Sequence, residues 1–294
     1  MNIGFVGLGT MGLPMARNIL EGGHRVIGFD LDPEARRRHH ANGGEVAGSA
    51  AEAARGADLV VTMVPEARHV RDALLGPNGV IEGLQEGGLV VEMSTIHPLE
   101  TDAIRAELAG RGFAMVDAPV GRTAQHAREG RLLIMAGGEP TDLERCQPLF
   151  ECVGEVTVDC GGPGRGSRMK IVNNFMSTAL NVLTAEALTL AEASGLDIGL
   201  TIDVLSGTAA GQGHFRTTYP AKVLAGDLDP DFMLRLAHKD LALAIDLGCR
   251  LGADSLLGPV ALEIYRAAID RDRGTQDWTA VYPFIRERAG LDGD

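Results

Sequence analysis

Short apolar runs rich in Val, Ile, Leu and Phe recur through the first half of the chain, at residues 3–6, 25–29, 59–63, 89–93, 114–117, 132–136 and 155–158. Continuous apolar runs of this length suit strands buried on both faces. Stretches with helical spacing lie between most of them, among them 11–21, 33–41 and 98–110. Strands that alternate with helices predict a mostly parallel sheet covered on both sides. Gly161-Gly162-Pro163-Gly164 breaks the pattern, and strand signals nearly vanish beyond it. Residues 167–193 read as one long helix, followed by helical stretches near 198–206, 232–251, 256–271 and 277–288. The expected organisation is an α/β domain over residues 1–163 and an all-helical domain over 164–294.

Composition narrows the function classes. Hydrophobic residues make up 45% of the 294, enough for a core, and 23% charged residues argue against disorder. No apolar run approaches the roughly 20 residues that span a bilayer. The chain opens directly on a strand-like segment, with no signal peptide ahead of it, so no membrane partner and a cytoplasmic location are expected. Cys146, Cys152, Cys160 and Cys249 form no C-x-x-C pair and read as reduced thiols. A net charge of −13 argues against a nucleic-acid partner, because backbone binding needs a basic face. It also means that an anionic ligand needs a locally positive pocket. Of 27 basic residues only three are lysines, Lys170, Lys222 and Lys239. In a sequence that otherwise uses arginine, these lysines are candidates for places where a cation must be able to lose its proton, although chance alone could leave three.

Gly7-Leu8-Gly9-Thr10-Met11-Gly12 is a G-x-G-x-x-G motif that follows a strand and opens a helix. In that setting Gly7 permits a tight turn, Gly9 lets a pyrophosphate approach the backbone, and Gly12 lets helix and strand pack closely. The backbone N–H groups of Thr10 and Met11 then face the phosphates at a helix N-terminus. The motif predicts a Rossmann dinucleotide-binding unit. Asp30 ends the second strand, where a carboxylate accepts hydrogen bonds from the adenosine ribose and repels a 2′-phosphate. The expected cofactor is therefore NAD, with NADH preferred over NADPH. Arg36, Arg37 and Arg38 could in principle serve a 2′-phosphate, but they fall inside the next helix.

The long helix carries a polar stripe. At 100° per residue, Lys170, Asn173, Asn174, Ser177, Asn181 and Thr184 lie within about 100° of one another. Apolar residues cover the rest of the circumference, which suits a pocket better than a solvated face. Lys170 is the only charge on the stripe. Burial there disfavours the protonated amine and suits a general acid that donates to a carbonyl oxygen. A structural lysine paired with an acid would show the same spacing.

These segments together resemble the β-hydroxyacid dehydrogenases, the family of 3-hydroxyisobutyrate dehydrogenase. The resemblance is carried by residues 5–12 with Pro14-Met15-Ala16, by Asp117-Ala118-Pro119-Val120, by the 161–164 turn with Lys170-Ile171-Val172-Asn173-Asn174, and by Phe232 through Lys239-Asp240-Leu241. It covers essentially the whole chain. It implies a Rossmann domain plus an all-α C-terminal domain joined by a long interdomain helix, as in 6-phosphogluconate dehydrogenase. It also implies Lys170 as catalytic acid/base, with Arg122, Thr123, Asn173, Asn174, Ser177 and Lys239 on the substrate. Gly7, Gly9, Thr10, Met11, Gly12, Asp30, Val64, Thr95 and Lys239 would contact the cofactor. His214 and His238 lie near these motifs and read as packing residues. The family needs no metal, and no His/Cys/Asp cluster has ligand spacing. A homodimer or homotetramer is implied.

One departure bears on the substrate. Most of the family follows D-x-P-V with Ser-Gly-Gly, whereas this chain has Gly121-Arg122-Thr123, which resembles the sulfolactaldehyde reductases. Met93-Ser94-Thr95-Ile96-His97-Pro98, Ser206-Gly207-Thr208-Ala209-Ala210-Gly211, Gly213-His214-Phe215 and Gln276-Asp277-Trp278 support that subgroup. A guanidinium presents several donors in a planar fork, which suits an anion with three oxygens such as a sulfonate. A small anionic aldehyde or alcohol is the expected substrate. A carboxylate semialdehyde (succinic, methylmalonic or tartronic) is the alternative, since a guanidinium binds it too. Imine reduction is disfavoured by Lys170, because relatives with that activity carry another residue there. A non-catalytic binding module is the remote reading.

Overall fold

Strands without a polar face need cover on both sides, and the helices supply it. The computed structural model describes residues 1–291. Its elements in chain order are β1 (Asn2–Val6), α1 (Gly12–Glu21), β2 (Arg25–Phe29), α2 (Pro33–Ala41), β3 (Glu45–Val46), α3 (Ala50–Ala54), β4 (Leu59–Thr62) and α4 (Ala67–Leu75). They continue with β5 (Leu89–Glu92), α5 (Pro98–Ala109), β6 (Ala114–Asp117), β7 (Val120–Gly121), α6 (Ala124–Arg128), β8 (Leu132–Ala136), α7 (Pro140–Val153), β9 (Gly154–Asp159) and α8 (Arg165–Ala193). Last come α9 (Ile198–Ser206), α10 (Ala209–Gln212), α11 (Leu234–Leu251), α12 (Gly258–Ala268) and α13 (Val281–Arg288). The chain divides into two compact units, residues 1–176 and 177–294, and the division falls inside α8. The expected boundary near residue 163 lies just ahead of that helix, which begins at Arg165.

In the first unit, β1 to β6 form a parallel sheet in the order β3-β2-β1-β4-β5-β6. Alternate strand residues enter opposite cores. Leu59 and Val61 pack with Phe5, Met15 and Ile19 on one face, while Val60 packs with Val70, Leu74 and Ile104 on the other. The order reverses between β1 and β4, which opens a crevice at their carboxyl ends. Register fixes what lies along that edge: Thr62 pairs with Glu92, and Glu92 with Asp117.

The runs at 132–136 and 155–158 do not join this sheet. They form β8 and β9, parallel to each other, in a separate three-stranded sheet with the antiparallel β7. The reason is local. β7 follows β6 after only Ala118 and Pro119, and β8 pairs antiparallel with it. The two-residue β7 is too short to show any periodicity.

The second unit is helical in its described part, apart from an isolated bridge between Met233 and Asp277. Leu234, Ala268, Ala280 and Phe284 form its buried core. Buried Asp277 accepts hydrogen bonds from Asp231 N, Phe232 N, Thr279 N and Thr279 Oγ1, and so fixes the approach to α11. Glu186 accepts from Ser255 Oγ, Leu256 N and Leu257 N just ahead of α12. None of the described helices is long and apolar enough to cross a membrane.

Candidate active site

The glycine loop sits at the end of β1 with each glycine in a distinct role. Gly7 has φ +99°, and a Cβ there would lie 2.2 Å from the Met63 carbonyl oxygen. A Cβ on Gly12 would lie 1.9 Å from the Gly7 oxygen, so α1 packs against the loop only without one. Gly9 differs, since nothing lies within 4 Å of where its Cβ would be. The protein does not need a glycine there for packing; a ligand does. No side chain caps the start of α1; Leu13 N donates to Gly9 O at 3.0 Å and Pro14 has no N–H, so the groups placed for an anion are the N–H groups of Thr10, Met11 and Gly12. Thr10 is exposed and Met11 half-buried at this point. The loop fits a pyrophosphate.

Asp30 follows β2 and reaches back to the loop. Its Oδ2 accepts from Leu8 N at 2.7 Å and its Oδ1 from Asp32 N at 2.8 Å. Arg36 lies within α2 as expected, yet its guanidinium returns to the same corner. Its Nη1 donates to the Asp30 carbonyl oxygen at 3.0 Å, and the group lies over the Phe29 ring. A cation is therefore closer to the ribose corner than its place in the helix suggests. Farther along the edge, Val64 N donates to Ser94 Oγ at 2.9 Å, which joins the loops after β4 and β5. Thr95 is exposed beside them.

Beneath these loops lies a buried polar row that the sequence reading passed over. Glu92 is fully buried; its Oε1 accepts from Ser94 N at 2.9 Å and from Thr62 Oγ1 at 3.4 Å, and its Oε2 has no partner. Burial pushes its carboxyl up to about 8, and the neighbouring Asp117 adds to the rise. Asp117 is equally buried, and its two oxygens accept from Gly164 N and Ser167 N at 2.6 Å each. Burial raises its pKa as well, against the pull of those donors. The signal that could have exposed Glu92 is a lone acid at the end of an otherwise apolar buried strand.

Lys170 lies in the second turn of α8, half-buried, and burial lowers its pKa below the usual lysine value. Among the described residues of the first unit, no carboxylate is within ion-pair distance of it. Asn173 Nδ2 donates to Asn174 Oδ1 at 3.2 Å on the same helix.

Arg122 stands just after β7 with φ +75°, a conformation that favours glycine. Its Nη1 donates to the Arg131 carbonyl oxygen at 2.6 Å and pairs with Glu155 of β9. Arg131 shares that carboxylate, and the two arginines hold Glu155 below the usual range. No described contact joins Arg122 to Lys170, Asn173 or Asn174. Thr123 is exposed and its Oγ1 lies 2.9 Å from His126 Nδ1. Ser177 and Lys239 belong to the second unit, where Ser177 is exposed and Lys239 on α11 pairs with Asp240 at 3.0 Å. His214 packs edge-on against Trp278, with its Nδ1 3.0 Å from Thr218 Oγ1. No group of three or more His, Cys, Asp or Glu among the described residues is placed to hold a metal ion.

Comparison with known proteins fits this geometry. Residues 2–162 match the family described as the NAD binding domain of 6-phosphogluconate dehydrogenase. Residues 164–285 match the one described as NAD-binding of NADP-dependent 3-hydroxyisobutyrate dehydrogenase. The chain belongs to the β-hydroxyacid dehydrogenase family. It is 47% identical to 3-sulfolactaldehyde reductase of Escherichia coli over 98% of its own length and 97% of that protein's. A structure of Mycobacterium tuberculosis 3-hydroxyisobutyrate dehydrogenase with L-serine matches at 33% identity and a TM-score of 0.68, over 97% of this chain and 98% of that one. An imine reductase from Myxococcus stipitatus has a TM-score of 0.86 at 17% identity, covering 97% and 99%, a likeness of fold alone. The chain is an oxidoreductase of hydroxyl and aldehyde groups that uses a nicotinamide cofactor.

The buried row generates a pH prediction. The Glu92 carboxyl titrates near 4.5 when unfolded and about 8 when folded, so the folded state holds the extra proton between those values. Its contribution to stability is complete below pH 4.5 and is lost as pH rises through 8. Glu92→Gln keeps a neutral side chain of the same shape. Denaturant unfolding should show this variant gaining on the wild type between pH 5 and pH 9. Parallel stability curves would contradict the assignment.

Proposed function

We propose that the chain reduces 3-sulfolactaldehyde to 2,3-dihydroxypropane-1-sulfonate with NADH, reversibly. The observation that carries this reading is Arg122, an arginine held in a left-handed backbone. That conformation costs a non-glycine residue about 1–2 kcal/mol. The exposed ion pair with Glu155 offsets little of it, because solvent screens it. Both described contacts of the guanidinium use Nη1. The edge formed by Nε and Nη2 presents two parallel donors to an oxyanion. The identity to the E. coli 3-sulfolactaldehyde reductase supports the same substrate.

In this reading Lys170 donates a proton to the oxygen that becomes the hydroxyl, and its neutral amine takes the proton back in the oxidative direction. Asn173 and Asn174 orient the substrate hydroxyl and anion. The family pattern assigns Thr123, Ser177 and Lys239 to the substrate as well. When bound, the nicotinamide supplies the two reducing electrons. The chain's own residues hold it: Thr10 and Met11 by their backbone N–H groups, Asp30 at the ribose, Val64 and Thr95 beside the crevice. The Asp30 carboxylate supports NADH over NADPH. A carboxylate semialdehyde is the second reading, favoured by the fact that Arg122 already takes a carboxylate in Glu155.

Self-association belongs to the same proposal. Val172, Leu180, Leu183, Leu200 and Val204 are exposed along α8 and α9, and apolar side chains gathered on a surface mark association sites. A second copy of the chain is the partner we infer, in a dimer or tetramer.

Steady-state assays with sulfolactaldehyde and the three semialdehydes test the substrate. Brisk turnover of a semialdehyde with none of sulfolactaldehyde rejects the leading reading. Arg122→Gly should lower kcat/KM for the sulfonate at least tenfold, the loss of about 1.5–3 kcal/mol expected for a hydrogen bond to a charged group. It should leave thermal stability nearly unchanged, because glycine relieves the backbone as the Glu155 pair is lost. Asp30→Ala should narrow the ratio of NADH to NADPH efficiency, with Arg36 at hand for the 2′-phosphate. Equal efficiency with both cofactors in the wild type would overturn the cofactor preference.

A further inference from the structure

Asp117 belongs to the D-x-P-V segment, yet its side chain faces the protein. It is fully buried, with one carboxylate oxygen on Gly164 N and the other on Ser167 N. These N–H groups lie just before and within the first turn of α8, which begins at Arg165. A carboxylate there satisfies donors that the helix itself leaves unpaired, and it matches the positive end of the helix dipole. The backbone holds the carboxylate in turn. Asp117 N donates to Gly137 O at 3.0 Å, and Gly137 N donates to Asp117 O at 2.8 Å.

The helix start is seated directly on this backbone. A Cβ on Gly166 would lie 2.3 Å from Met135 O and 2.5 Å from Asp117 O. Two side-chain contacts reach the same turn from α5. Arg168 Nη2 donates to Asp102 Oδ2 at 2.6 Å, and Thr101 Oγ1 donates to Ser167 Oγ at 3.3 Å. Lys170 stands three residues after Ser167 and four after Gly166, on the same face of the helix. Any shift at the seated turn is therefore carried to the lysine.

We propose that Asp117 is a positioning residue for Lys170: it clamps the first turn of α8 to the end of β6 and so fixes where the amine stands, without touching substrate. The proposal rests on the reading of Lys170 as the proton donor. It also gives the acid of the D-x-P-V segment a role separate from that of Arg122, five residues later.

Asp117→Asn in the full chain is the test. The amide keeps the size of the acid but has only one acceptor oxygen, so one N–H is left facing an NH2 group. A misplacement of about 1 Å remote from the chemistry can cost a hundredfold, so kcat for aldehyde reduction should fall roughly 10–100-fold. The KM and Kd for NADH should stay within about twofold, because Asp117 makes no contact with the glycine loop or Asp30. Gly166→Ala leaves the carboxylate intact, lifts the helix and should reproduce the same split. If Asp117→Asn does not fold, as judged by loss of NADH binding, Gly166→Ala decides. Wild-type kcat in both folded variants would overturn the proposal, and so would equal losses in kcat and NADH affinity. Lys170→Ala run alongside separates the two failures. Undiminished activity in that variant sinks the functional reading itself. An inactive Lys170→Ala beside fully active Asp117→Asn and Gly166→Ala sinks only the positioning role.

Discussion

A buried carboxylate must find donors, and Asp117 finds them at the start of α8. Most of the chemistry in the first unit is arranged around that contact. Parallel register sets Thr62, Glu92 and Asp117 side by side at the ends of three neighbouring strands. Above Glu92, Ser94 ties the loops that carry Val64 and Thr95. Beyond Asp117, the helix that carries Lys170 begins. The two acids answer burial differently. Asp117 is matched by two backbone N–H groups, whereas Glu92 has an oxygen without a partner and holds its proton instead. Two ionised carboxylates in adjacent buried positions would repel at short range, so Asp117 adds to the rise in the Glu92 pKa.

The glycine loop and Asp30 have the geometry that fits a dinucleotide, but that geometry does not choose the reaction. In the proposed reaction that choice falls to Lys170, whose half-burial lowers the pKa of its amine. Arg122 makes a different kind of choice. A glycine at φ +75° would be unstrained, and the chain keeps an arginine there with one edge of its guanidinium held by Glu155 and Arg131. Strain of this sort persists where surrounding contacts hold it, and functional sites are where it collects.

Much of the fold was legible in the residues because strand and helix signals alternate strongly. The runs at 25–29, 114–117 and 132–136 appear at those bounds. G-x-G-x-x-G could be placed on its strand-loop-helix because its neighbours were periodic. What stayed hidden was nonlocal. Nothing in the sequence says that β8 and β9 leave the main sheet, since their partner β7 is only two residues long. Asp117 and Gly164 are 47 residues apart, and Arg122 and Glu155 are 33, so neither pairing leaves a local pattern. Glu92 sits inside the apolar run at 89–93, where a single acid leaves no periodic signal. Arg36 was placed correctly in its helix, yet the reach of its side chain back to Asp30 is a property of the long guanidinium stem and not of the helix.

The central claim is that Lys170 gives up a proton during reduction, and the pH dependence of kcat in a Lys170→Arg variant tests it most directly. Arginine keeps the charge but does not lose its proton at accessible pH. Reduction needs the protonated amine, so wild-type kcat should be high at lower pH and fall as pH rises through a lysine value lowered by burial. In the variant kcat should drop roughly 10²–10⁴-fold, the usual contribution of a general acid, and that alkaline limb should vanish. A variant that keeps wild-type kcat and the same limb would show that the charge alone is needed, and that the proton comes from elsewhere.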